Sequence, residues 1–191
     1  MKIKFKKLEN LLRELNHPLI NDFELQEELD EINYLLKYNK LYIDEQLIEL
    51  YLWKGGINGA SVYNGEFKEL FSGGSFIDIR SANSLLSLDK LTNKIYLKKL
   101  PFIQSITGDT ISIDLDPKSK TKGQLFILAP AITLSGDFET IYDSIETWID
   151  TIIECYEKKA YILDEQGVLK IDYDLEKSIS AKLNPKSEFW I

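Results

Sequence analysis

A chain of 191 residues with 44% hydrophobic and 12% aromatic content can bury one substantial core, which excludes a disordered polypeptide and favours a single domain with a terminal extension. A formal charge of −8 repels nucleic-acid phosphate, so direct DNA or RNA binding is not expected; such a surface suits a basic protein partner, while plain solubility accounts for most of the individual charges. The lone cysteine, Cys155, excludes an intrachain disulfide and suits a reducing, cytoplasmic compartment, and no apolar run approaches the roughly 20 residues of a membrane helix.

The opening segment, MKIKFKKLENLLREL, is basic and amphipathic, without the continuous apolar centre and cleavage site of a signal peptide. Its spacing predicts a helix over residues 3–15 with Phe5, Leu8, Leu11, Leu12 and Leu15 on one side, broken by Pro18. A second helix is expected to start at Asn21 or Asp22, both good N-cap types. Phe23, Leu25, Leu29, Ile32, Leu35 and Leu36 form its buried stripe, and Asp22, Glu24, Glu27, Glu28, Asp30 and Glu31 its acidic outer face. A third helix from about Asp44 to Lys54 carries Leu47, Leu50 and Tyr51 on its apolar side. It stops at Gly55-Gly56, where a left-handed backbone suits glycine. Residues 57–74, with aromatics at Tyr63, Phe67 and Phe71, read as loops and a short strand. Ser75 to Arg80 alternates as a strand, and Ser81 caps a short helix through Leu91.

Leu100 to Leu128 reads as three antiparallel strands with turns at Gly108-Asp109 and Pro117 to Gly123. Ile111, Ile113 and Leu115 alternate with Thr110, Ser112, Asp114 and Asp116, which predicts one buried and one wet face. A loop between Pro130 and Gly136 leads to a helix over residues 138–156, with Asp137 as its N-cap. Phe138, Ile141, Tyr142, Ile145, Trp148, Ile149, Ile152, Ile153 and Tyr156 form its stripe, and Glu139, Asp143, Glu146, Asp150 and Glu154 its other side. This helix is expected to lie across the buried face of the sheet. A hairpin then turns at Glu165-Gln166-Gly167, and Asp174 caps a last helix to Leu183, ended by Asn184-Pro185. Phe189 and Trp190 of the tail fold back onto the body. The expected fold class is α+β: a single domain with a mostly antiparallel sheet packed by helices on one face.

Chemistry is sparse. Asp114 and Asp116, two apart on a strand, face the same way and could share a hard cation, but no further ligand is fixed beside them. Aspartates beside turns more often serve turn geometry. His17, the single histidine, precedes Pro18 and is expected at the surface. Cys155 falls beside the apolar stripe of the long helix and reads as a packed small hydrophobe. Nothing in the sequence sets Cys155 beside His17, and that pairing stays open. Gly55-Gly56 and Gly73-Gly74 match neither a dinucleotide fingerprint nor a P-loop. Lys118, Lys120 and Lys122 make a solvated basic turn. No catalytic residue, cofactor or metal is expected. The acidic faces of the second and the long helix are the extended features, read plainly as solvated exterior and functionally as a partner surface.

Three stretches carry a resemblance: ELYLWKGG at 49–56, GDTISIDLDPKSKTKGQLFI at 108–127 and DFETIYDSIETWI at 137–149. Together they resemble the SUKH superfamily, which includes Smi/Knr-type yeast cell-wall regulators and many bacterial immunity proteins. Tyr51, Trp53, Gly55 and Gly56 sit at the family's aromatic helix end and turn. Gly108, Asp109, Leu115, Asp116 and Gly123 fill its strand and turn places, and Asp137, Phe138 and Ile141 its helix start. Asn184, Pro185, Ser187 and Trp190 match a closing LNP-x-S-x-x-W tail. Two places depart: Tyr42-Ile43 stands for the usual Leu-Pro, and Lys54-Gly55-Gly56 replaces an Asn-Gly turn. The likeness covers residues 22–191 and leaves 1–21 as an N-terminal helical extension. It implies a non-enzymatic immunity protein that binds and neutralises a basic, nuclease-type toxin domain. Glu27, Glu28, Glu31, Asp109, Asp114 and Asp116 are expected to face that partner. The alternatives are a scaffold or regulator of glucan synthesis and a metal-dependent hydrolase built on Asp114 and Asp116.

Overall fold

The computed structural model describes residues 1–58, 69–91, 97–133 and 136–191. Tyr63 and Phe67 lie outside them. Among the described residues one antiparallel sheet runs in the order β1-β2-β3-β4-β5. Its strands are Ser75–Phe76 (β1), Lys99–Gln104 (β2), Thr110–Asp114 (β3), Leu125–Leu128 (β4) and Glu139–Tyr142 (β5). The helices are Lys2–Glu14 (α1), Leu29–Tyr38 (α2), Glu45–Trp53 (α3), Ile79–Leu91 (α4), the single turn Pro130–Thr133 (α5), Ile145–Glu157 (α6) and Tyr173–Leu183 (α7). A 3-10 turn, Pro18–Asn21, follows α1, and Tyr161–Leu163 (β6) pairs with Leu169–Ile171 (β7) as a separate hairpin. The fold is a single α+β domain. No described helix is long and apolar enough to cross a membrane.

The central meander forms as the alternation and turns predict. Ile111 pairs with Ile103 on one side and Ile127 on the other. The wet face does not form, because all five residues of β3 are buried. Ser112 sits between its cross-strand neighbours Pro101 and Phe126. The Lys99 ammonium lies 4.8 Å from the centre of the Phe126 ring. Larger neighbours thus shield the small polar side chains of β3 from water.

The long helix starts later than its apolar spacing predicts. Glu139–Tyr142 is a strand, with Thr140 opposite Phe126 and Tyr142 opposite Leu125. The open edge of β4 takes up the backbone groups of this segment. Ser144, not Asp137, then caps α6. The Thr147 amide donates to Ser144 Oγ at 3.2 Å, and the Ser144 amide donates to Thr147 Oγ1 at 3.0 Å. From Ile145 onward the predicted stripe is buried, with Trp148 edge-on to Phe71 and Phe102.

The acidic side of α6 is not an open surface. α1 packs on α6, burying Phe5, Leu8 and Leu12, while Leu15 stays exposed. Lys4 Nζ lies 2.8 Å from Glu146 and 2.6 Å from Asp150, and Lys7 lies 2.8 Å from Glu157.

The second helix is shorter than predicted. Residues 22–28 are not helical. They run as an extended segment against the end of α3: the Glu24 amide donates to Gly56 O and the Glu27 amide to Tyr51 O, both at 2.9 Å. Long-range backbone pairing here overrides local helix propensity. Gly55 is explained by this approach, since a Cβ there would meet Leu25 O at 2.2 Å. α3 ends at Trp53, and Lys54 continues as extended chain rather than a left-handed stop.

Two further starts move. Only Ser75–Phe76 of the predicted strand pairs with β2. Asp78, rather than Ser81, opens α4: its Oδ1 accepts from the amides of Arg80 and Ser81 at 2.9 Å. Asp172, rather than Asp174, caps α7 by accepting from the Leu175 amide. In the tail, Trp190 is buried and Phe189 packs against the core. His17 is buried, not at the surface: Nδ1 accepts from the Leu19 amide at 3.2 Å, and Nε2 lies 3.0 Å from the Tyr156 hydroxyl.

Candidate functional site

The extended segment 22–28 and the start of α4 face each other across a cleft of about 570 Å³. Asp22, Glu24, Leu25 and Glu27 line one side, and Asp78 and Arg80 the other. Hydrogen bonds of this segment to the end of α3 hold it extended, so successive side chains alternate in direction. Leu25 stands 91% exposed among carboxylates, although its helical spacing predicts a core position. A leucine so placed gains nothing from the fold itself.

Charge in the cleft is unbalanced. Arg80 is held at its rim by Glu31, with Nε 2.5 Å from Oε1 and Nη2 2.9 Å from Oε2. This two-pronged bond keeps the Glu31 carboxyl below its ordinary pKa and raises that of the guanidinium. Partial burial, together with the nearby charges of Glu31 and Asp78, pushes the Glu27 carboxyl up, against the pull of Arg80. Such a site gains when a cation arrives.

The outer side of α2 continues this surface. Tyr34 and Tyr38 are 63% and 70% exposed, and their rings stack at 6.0 Å. Asp30 lies one turn before Tyr34 on the same row of the helix. Glu28 is exposed at the N-cap position. Glu27, Glu28 and Glu31 therefore share one region with exposed leucine and tyrosine side chains.

The three aspartates lie elsewhere. Asp114 is buried and pins the loop after β3, accepting from Ser119 Oγ at 2.6 Å, Thr121 Oγ1 at 2.7 Å and the Asp116 amide at 3.0 Å. Asp116 accepts from the Lys118 amide at 3.0 Å and from Lys98 Nζ at 3.3 Å, and its carboxyl is held below its ordinary pKa, mainly by the amide. Asp109 closes the β2–β3 turn, accepting from Thr107 Oγ1 at 2.5 Å and Ser105 Oγ at 3.3 Å. Among the described residues no group of three or more His, Cys, Asp or Glu side chains could hold a metal ion. Cys155 is buried, and burial pushes its thiol up to about 12, which suits packing.

Sequence reasoning missed Leu25 as an exposed residue, and missed Asp78 and Arg80 altogether. One signal was available: Asp78 stands just before a run that can continue as a helix, which is a cap position. No known family model matches the chain, and no curated protein matches it.

Proposed function

We propose that the protein is a non-enzymatic binding protein of the immunity type, which neutralises a basic, nuclease-type toxin domain through the acidic cleft and the adjoining outer side of α2. The observation that carries this reading is Leu25, 91% exposed at the cleft beside Glu24, Glu27 and Asp78. Burying one leucine under a partner contributes about 1.5–3 kcal/mol, and the stacked tyrosines offer rigid contact area beside it. The surrounding carboxylates steer a positively charged partner and disfavour an acidic one. The net charge of −8 acts in the same direction. The resemblance to the SUKH superfamily supports the same class of partner.

The test is co-purification of the full chain from its native cell, followed by identification of what is retained. Wild type retains a basic protein that Leu25→Asp and the triple charge reversal of Glu27, Glu28 and Glu31 to lysine release. A partner that both variants hold with unchanged affinity removes this surface from the interface.

A further inference from the structure

A second cavity shares no lining residue with the acidic cleft. It holds about 230 Å³ between the Gly73 segment, the β2–β3 turn, strands β4 and β5, α7 and the C-terminal tail. Tyr142, Tyr173, Phe189 and Trp190 supply aromatic walls, and Glu176 and Asp109 supply carboxylates. No basic side chain is among its described lining residues. At this size it suits a molecule smaller than a typical drug ligand.

Two groups here are incompletely satisfied. Glu176 is buried, and one of its oxygens, Oε1, takes hydrogen bonds from both Ser72 Oγ and the Tyr161 hydroxyl. Its second oxygen has no hydrogen-bond donor among the described residues. Trp190 is 8% exposed, and its indole N–H is buried with no acceptor among the described residues. The second oxygen of Glu176 is not among the solvent-inaccessible unpaired atoms and is open to a donor from the cavity, whereas the Trp190 indole N–H is closed off and contributes only its ring to the wall.

We propose that this cavity binds a small aromatic amine. Its ammonium group pairs with the free oxygen of Glu176, and its ring packs between the aromatic walls of Tyr142, Tyr173, Phe189 and Trp190. Aromatic faces and carboxylates attract an ammonium, whereas an anion of the same shape meets repulsion from Asp109 and Glu176. Tyr173, 68% exposed, stands at the mouth and forms its outer wall.

The experiment is calorimetric titration of the full chain with tyramine and with 4-hydroxyphenylacetate, which differ in the charge of one end. Chemical shifts of the Trp190 indole N–H are followed in parallel. Tyramine binds at least about tenfold more tightly than the acid and moves the indole signal. Glu176→Gln abolishes that preference while the variant melts cooperatively. Tyr173→Ala, a change at an exposed side chain, weakens tyramine several-fold and serves if the Gln variant does not fold. Equal affinity for the two compounds, absence of saturable tyramine binding, or a Tyr173→Ala variant with full affinity overturns the proposal. Partner capture through the acidic cleft is measured separately, so each reading fails on its own evidence.

Discussion

The His17 Nε2 atom lies 3.0 Å from the Tyr156 hydroxyl, which ties the loop after α1 to the end of α6. The surrounding bonds fix the direction of this contact. The Leu19 amide donates to Nδ1, so Nε2 carries the proton and donates to Tyr156, whose hydroxyl donates to Leu70 O at 3.0 Å. A charged imidazole cannot accept at Nδ1. Burial lowers the pKa of His17 from 6.5 to about 4. The unfolded chain therefore takes up a proton that the folded chain refuses. His17 contributes its full stability above about pH 6.5, loses it as pH falls, and has none left to lose below about 4. The loss is about 3 kcal/mol. Urea unfolding across this window shows a fall in stability in wild type that is absent in His17→Gln.

Gly55 makes a second prediction. A Cβ at this position would lie 2.2 Å from the backbone oxygen of Leu25, where no flexible side chain can give way. Gly55→Ala is expected to destabilise by about 1–3 kcal/mol, as overpacking does. It also pushes segment 22–28 off the end of α3. Limited proteolysis should then cut near Leu25 in the variant before wild type is cut anywhere. An alanine variant with wild-type stability and cleavage would show that the segment does not dock as closely as described.

The parts legible in the sequence were those decided by neighbours in the chain. Alternation and turn residues placed β2, β3 and β4, and spacing from Ile145 to Tyr156 placed the buried face of α6. The parts that escaped were decided at long range. Phe138, Ile141, Tyr142 and Ile145 fit a helical stripe, yet pairing with β4 turned Glu139–Tyr142 into a strand. Leu25 fits a helical stripe as well, but backbone bonds to Tyr51 and Gly56 keep its segment extended. His17 is buried because of Tyr156, 139 positions away. Among the candidate site residues, Glu27, Glu28 and Glu31 could be picked out by charge alone. Asp78 and Arg80 could not, because only the fold sets α4 beside residues 22–28. The groups around Glu176 come from equally separate segments.

Trp148 tests the centre of the core. It is 1% exposed, and the Phe71 and Phe102 rings meet it edge-on at 5.5 and 5.4 Å. Trp148→Ala is expected to cost about 3–5 kcal/mol in chemical denaturation. Its indole nitrogen is buried without a hydrogen-bond partner among the described residues. Trp148→Phe therefore forfeits no hydrogen bond and should cost clearly less than the alanine change. Equal losses for the two variants would mean that the ring contacts contribute little.

Glu176 gives the last prediction, and its sign opposes the common one for carboxylates. Burial raises its pKa, against the hydrogen bonds from Ser72 and Tyr161. A carboxyl raised in the folded state contributes stability below its unfolded value of 4.5 and loses it as pH rises through the folded value. Above that point the fold either holds a buried charge or pays to keep the proton. Glutamine keeps an oxygen that can accept from both Ser72 and Tyr161, and it has no charge to bury. Relative to wild type, Glu176→Gln is therefore expected to hold a constant stability difference below about pH 4.5, to gain as pH rises from there through the folded value, and to gain no more beyond it. Thermal melts of both proteins across that range measure the gap directly. A gap that does not change with pH would mean that the carboxyl titrates alike in the folded and unfolded chain, and a wild type that gains on the variant as pH rises would mean that the ionised carboxylate is favoured in place.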